Sequence, residues 1–292
     1  MRAAAHGYEA EIGEVDGRLC VLALTHHGVD LLGVQGAPLM TPWLGRLSGR
    51  RQRVGGHDLA IDVAGVGDPS QRHVEFDPLG RALHGLCGGA GAWRMEQTGA
   101  EVHAEAQFAP HPAFPFAHRM VVKLALREDG LLVDTVVHAE GDVGVPVAFG
   151  WHPYLAAPLT TTGQVEVFLP FTTSCLLDDL LPTGEERGVS PRWVADPVMD
   201  HHWRVEPDMV AVVRSAVGDT VVRFGDGFGW AMTWVPRSGA GFVCIEPMAG
   251  PLDPFSAGSL TPWARPDAPW KASFLVGRAA APPVGGPEIS PG

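Results

Sequence analysis

No segment of this chain sustains apolar residues at i, i+3, i+4 and i+7, whereas several alternate apolar and polar residues with the period of a strand. That contrast constrains the fold more than any other feature. Between Met120 and Ala139, the residues Met120, Val122, Leu124 and Leu126 line one side of a run that carries Lys123 and Arg127 on the other, and Asp129-Gly130 supplies a turn. A second hairpin is predicted from Trp230 to Trp234, through a turn over Pro236 to Gly241, and back along Phe242 to Glu246. Further strands are expected at Cys20 to Leu24, Val102 to Phe108, Gln164 to Leu169 and Val210 to Val213. The 37 glycines and 26 prolines are spread along all 292 residues, which suits short strands joined by tight turns. The expected class is therefore all-β, a large antiparallel β-sandwich formed by residues 1–278 as one domain. Residues 279–292, rich in Pro and Gly, are expected to form a disordered tail.

Charge and composition exclude several functions. The 21 Lys and Arg face 33 Asp and Glu, a net charge of -12, and no basic patch is present to track phosphates, so nucleic acid is not an expected partner. The N-terminus lacks an apolar signal region and no run approaches the ~18 apolar residues that cross a bilayer. A soluble cytoplasmic monomer or homodimer without a membrane partner is expected. Cys20, Cys87, Cys175 and Cys244 are far apart in sequence and read as free buried thiols. His201 and His202 are adjacent, so in a strand they point to opposite faces, and no metal site is expected there.

Four segments place proton-competent or hydrogen-bonding side chains beside Gly, Pro or aromatic residues. They are Pro42-Trp-Leu-Gly-Arg-Leu47, Ala82-Leu-His-Gly-Leu86, Phe149-Gly-Trp-His-Pro-Tyr154 and Cys244-Ile-Glu-Pro-Met248. In the last, Glu246 shares a strand face with Cys244 and Phe242, and Pro247, lacking an N–H, is expected to end the ladder and leave the carboxylate at a strand terminus. A rim salt bridge or a turn cap is the alternative for a lone Glu-Pro. His152 sits between Trp151 and Pro153 with Tyr154 after it, an aromatic setting suited to a sugar ring. A nearby carboxylate would raise the pKa of His152 and lower its own. His84-Gly85 reads as a turn presenting an imidazole, either to a ligand or to backbone. Arg46 offers a permanently charged fork of donors to sugar hydroxyls or a carboxylate, unless it is a solvated loop residue.

In their order and spacing these segments together resemble the aldose 1-epimerase (galactose mutarotase) family over residues 33–274. The resemblance implies a galactose mutarotase-like supersandwich and an isomerase acting on a free hexose such as glucose or galactose, with no cofactor and no metal. Residue by residue, it implies that His152 is the general acid and Glu246, in Ile245-Glu-Pro-Met248 followed by Pro251 and Phe255, is the base. Arg46, His84 and Asp200, the last in Met199-Asp-His, would bind sugar hydroxyls. Leu181-Pro-Thr-Gly-Glu185 matches a family segment at a strand-to-loop junction. Gly45 stands where the family usually has Asn, and Leu155 where it usually has Phe, so the preferred sugar does not transfer. A hexose-6-phosphate 1-epimerase and a non-catalytic carbohydrate-binding protein are the alternatives on the same fold.

Overall fold

The computed structural model describes residues 1–61, 72–89 and 91–279. Among them two antiparallel sheets dominate. The first, of twelve strands, runs in the order Arg2–Ala5, Tyr8–Val15, Arg18–His26, Ala37–Met40, Gly150–Trp151, Gly241–Met248, Trp230–Val235, Met199–Arg204, Thr173–Asp178 and Leu181–Gly188. Val29–Asp30 and Tyr154–Ala157 attach beside it. The second, of nine strands, runs Arg94–Thr98, Glu101–Phe108, His118–Arg127, Gly130–Ala139, Trp270–Arg278, Gly218–Phe224, Val210–Ser215, Glu166–Leu169 and Arg192–Ala195. The expected antiparallel β-sandwich is the observed fold. The tail expectation lies, from residue 280 onward, outside the described residues.

Alternation explains the packing. Met120, Val122, Leu124 and Leu126, the apolar set of the first predicted hairpin, are all buried in the core between the sheets. Arg127 pairs with Gly130, so the turn falls on Glu128 and Asp129, one residue earlier than expected. The reason is Gly130 itself, which opens the return strand at φ 148, where an added Cβ would lie 2.3 Å from the Val276 carbonyl. Trp151 is fully buried and donates from Nε1 to the Thr135 hydroxyl at 3.2 Å, fastening the first sheet to the second directly beside His152. Deleting a ring packed in this way costs about 3–5 kcal/mol.

Two smaller clusters support the functional face. One gathers Trp43, Leu47, Val54, Leu59, Phe114, Phe116 and Phe255 around the two-stranded sheets Arg51–Val54 with His57–Ala60 and His73–Phe76 with Ala82–Cys87. The other gathers Met40, Leu44, Cys175, Trp230, Met232, Met248 and Leu252. Leu181–Glu185, expected at a strand-to-loop junction, instead begins the outer strand Leu181–Gly188, directly after Asp179 and Leu180, both at positive φ.

Candidate active site

Register brings the site together. Gly150 lies opposite Met248 and Tyr154 opposite Cys244, so His152 falls opposite Glu246. Directly opposed residues share a face, so both side chains enter the same space. Neither Pro153 nor Pro247 can donate a backbone hydrogen bond, and pairing is interrupted between Gly150–Trp151 and Tyr154–Ala157. The backbone N–H of His152 donates instead to the Pro38 carbonyl on the other side, at 3.0 Å. The strand does not end at Pro247, contrary to expectation. It continues to Met248, because Ala231 and Gly150 still flank its last two residues. The opening beside Glu246 comes from the broken partner strand.

His152 Nε2 lies 3.3 Å from Glu246 Oε1, with both side chains more than nine-tenths buried. Tyr154 stacks on the imidazole at 4.4 Å and 15°, while Trp234 and His84 meet it edge-on at 6.1 and 5.4 Å. The pair borders a cavity of about 290 Å³ whose lining also includes Gly45, Arg46, Leu83, His84, Tyr154, Asp200, Met232, Trp234 and Leu252. All five residues singled out from the sequence therefore converge on one space. A larger cavity of about 420 Å³, beside Arg72, Phe108 and His111, contains none of them.

Arg46 and His84 are positioned by each other's segments. Arg46 pairs with Leu83 in an isolated bridge, the His84 N–H donates to the Gly45 carbonyl at 2.9 Å, and the Leu47 N–H donates to the Ala82 carbonyl at 3.0 Å. His84 and Gly85 both have positive φ, and a Cβ on Gly85 would sit 2.1 Å from the Thr41 carbonyl oxygen, so this turn requires glycine. Gly45 is likewise at φ 57 with Leu252 packed against it, where a Cβ would lie 2.2 Å from Leu252 Cδ2. A side chain at this position would therefore have to displace Leu252.

Sequence reasoning missed Asp77. Its carboxylate accepts from Arg46 Nε at 2.9 Å and from the backbone N–H groups of Leu79 and Arg81, both at 2.9 Å. Burial opposes its ionisation, but these donors outweigh it and hold the carboxyl below its usual range. Arg46 is thus aimed from behind by a fixed anion. The signal was local, an Asp at the head of the turn Asp77 to Arg81, yet nothing in it pointed to Arg46.

The electrostatics of the central pair also differ from expectation, which had the carboxylate raising His152 and falling itself. Desolvation dominates instead, lowering His152 to about 4 and raising Glu246 well above the ordinary carboxyl range, with the nearby Asp200 adding to the rise and Arg46 opposing it. Burial first, against weaker attraction from Arg46 and His201, also raises Asp200. Burial therefore favours the neutral form of both groups, a carboxylic acid beside a neutral imidazole. That form holds the same proton as a carboxylate beside an imidazolium, one transfer across the 3.3 Å contact away.

His201 is exposed and His202 buried, as adjacent strand residues must be, and the four cysteines are free and buried. Cys244 nevertheless joins His152 and Glu246, with one potential ligand atom from each lying within 4.8 Å of the others.

No protein-family model matches this sequence, and no curated protein matches it. Solved structures do. A galactose mutarotase-like protein from Clostridium acetobutylicum superposes with a TM-score of 0.73 at 15% identity, covering 94% of this chain and 93% of that one. Another from Lactobacillus casei gives 0.72 at 14% identity, with 95% and 99% covered. A galactose 1-epimerase from Lactobacillus acidophilus gives 0.65 at 9% identity, with 94% and 92% covered. At these identities the likeness establishes architecture, and nearly the whole chain has the galactose mutarotase-like fold.

Proposed function

We propose that this protein is an aldose 1-epimerase that interconverts the α and β anomers of a free hexose such as glucose or galactose. The observation that carries the reading is the buried His152–Glu246 contact of 3.3 Å at the wall of a cavity also lined by Arg46, His84 and Asp200. Opening a cyclic hemiacetal needs a base for the O1 proton and an acid for the ring oxygen, and two groups sharing one proton provide both.

In the proposed reaction the sugar takes over the contact between the two side chains. Its O1–H donates to Glu246 and its ring oxygen accepts from His152 Nε2. Hydroxyls donated to the carboxylate favour the charged form of the pair, which burial alone disfavours. Glu246 then removes the O1 proton as the C1=O1 double bond forms, the C1–O5 bond breaks, and His152 delivers its proton to O5. Rotation about C1–C2 presents the other carbonyl face, and with roles reversed the pair closes the opposite anomer. Arg46, His84 and Asp200 hold the remaining hydroxyls so that O1 and O5 stay near the acid and base. Trp234 and Tyr154 offer the ring apolar walls.

The cavity lining favours a neutral sugar over a 6-phosphate. Among the described residues Arg46 is its one Lys or Arg, and that residue is already paired with Asp77. Arg50 donates to the Gly80 carbonyl and lies over Phe76, while Arg53 pairs with Asp58, and neither borders the cavity. Polarimetry on freshly dissolved α-D-glucose and α-D-galactose tests the proposal. Acceleration proportional to protein concentration is expected, and rates equal to buffer alone would refute it.

A further inference from the structure

The strand Gly241–Met248 sends Cys244 and Glu246 to the same face, and the register sets Tyr154 opposite the first and His152 opposite the second. An imidazole nitrogen, a thiol sulfur and a carboxylate oxygen are thereby gathered within 4.8 Å of one another. All three residues are buried, Cys244 completely; sheet pairing holds Cys244 and Glu246, and His152 sits in the short break between two paired segments of the neighbouring strand. A tetrahedral zinc ion, with bonds of about 2.0–2.3 Å to N, O and S, needs its ligand atoms about 3.3–3.7 Å apart. The His152–Glu246 separation of 3.3 Å already meets that requirement. The sulfur has to close by no more than about 1 Å, within reach of a χ1 adjustment.

We propose that His152, Cys244 and Glu246 form an inhibitory site for a zinc-class divalent cation, with its fourth position open to the sugar cavity. The mixed N, O and S donor set selects a borderline-soft ion over magnesium or calcium, which take oxygen ligands. Sheet pairing on both sides of Gly241–Met248 orients two of the ligands, and Tyr154, stacked on His152, restrains the third. A cation bound to the imidazole nitrogen and the carboxylate takes up the lone pairs that proton transfer requires. Binding therefore stops turnover and competes with sugar. Only this inhibitory consequence rests on the epimerase reading, and the site itself does not.

The test uses the full chain stripped with EDTA and dialysed. Calorimetric titration with Zn²⁺ is expected to give one ion per chain, and Co²⁺ an intense near-ultraviolet thiolate-to-metal band with tetrahedral visible absorption. Mutarotation should fall in proportion to occupancy and return on adding EDTA. Cys244→Ala, and Cys244→Ser as a second variant, should stay folded at the assay temperature and keep sugar turnover, lose the thiolate band and bind Zn²⁺ more than about a hundredfold more weakly, beyond the loss typical of an outer-shell partner. Absence of stoichiometric binding, or binding that both Cys244 variants leave unchanged, would overturn the site. Zinc that restores rather than abolishes turnover would overturn the inhibitory role. If no sugar is turned over by any form of the protein, the calorimetric and cobalt measurements still decide the site.

Discussion

Replacing Glu246 by glutamine separates chemistry from packing. The residue is 4% exposed, and burial raises its pKa well above the usual carboxyl range, which favours the neutral acid there. An uncharged amide of the same size replaces it with little strain, and the expected stability change is within about 1 kcal/mol. For a chain of this length that is a shift in melting temperature of no more than about 4 °C. The chemistry changes far more. An amide cannot accept the O1 proton, and removing a positioned general base lowers the rate by about 10²- to 10⁴-fold. That is roughly 3–5 kcal/mol in the barrier. Because the amide still hydrogen-bonds a hydroxyl, the loss should fall on kcat, with KM within about threefold. The assay is initial-rate polarimetry beside a thermal melt of the same preparation. Turnover within a few-fold of the parent at an unchanged melting temperature would remove Glu246 from the mechanism.

Other consequences are open to equally direct measurement. His84, His118, His152 and His202 are held neutral by burial, with His118 and His152 near 4 and His202 near 3, whereas Glu246 is raised. As pH drops below about 6.5 the unfolded chain binds histidine protons that the folded chain does not, partly offset by Glu246, so stability should fall with pH; a melting temperature flat between pH 6.5 and 5 would contradict it. Gly85→Ala, whose Cβ meets the Thr41 carbonyl at 2.1 Å, should cost about 2 kcal/mol or more and, by moving His84, weaken kcat/KM, which a melt and a rate series would show. Turnover should survive EDTA and dialysis undiminished, and loss restored by a divalent ion would refute acid/base chemistry by the two side chains alone. At one pH and ionic strength, kcat/KM should favour glucose and galactose over glucose 6-phosphate, since a dianion would meet Asp200 and a single, already paired arginine; the reverse order would move the protein to phosphorylated sugars.

The architecture was legible because side-chain alternation is local. Met120 to Leu126 announces its strand and inward face without knowledge of its neighbours, whereas Trp230 to Glu246 announces its strands only, because the fold buries both of their faces. The site was legible as a set of candidates only through the family resemblance, since each short motif has an ordinary structural use. What could not be read depends on pairing between distant segments. The opposition of His152 and Glu246 follows from the register of two strands nearly a hundred residues apart, and so does the misjudged role of Pro247. Asp77 behind Arg46 is a tertiary contact. The direction of the pKa shifts depends on how completely the fold removes water, which no dipeptide reveals. Cys244 was read correctly as a buried thiol, while its approach to His152 and Glu246 emerged only in three dimensions.

The central claim is that this site exchanges sugar anomers, and magnetisation exchange between the α and β anomeric protons of galactose or glucose at equilibrium tests it most directly. The account predicts exchange that rises linearly with protein concentration, leaves the anomer ratio unchanged and disappears in Glu246→Gln. Exchange no faster than in buffer, at protein concentrations where sugar binding is saturated, would show that the cavity binds without catalysing and would contradict the account.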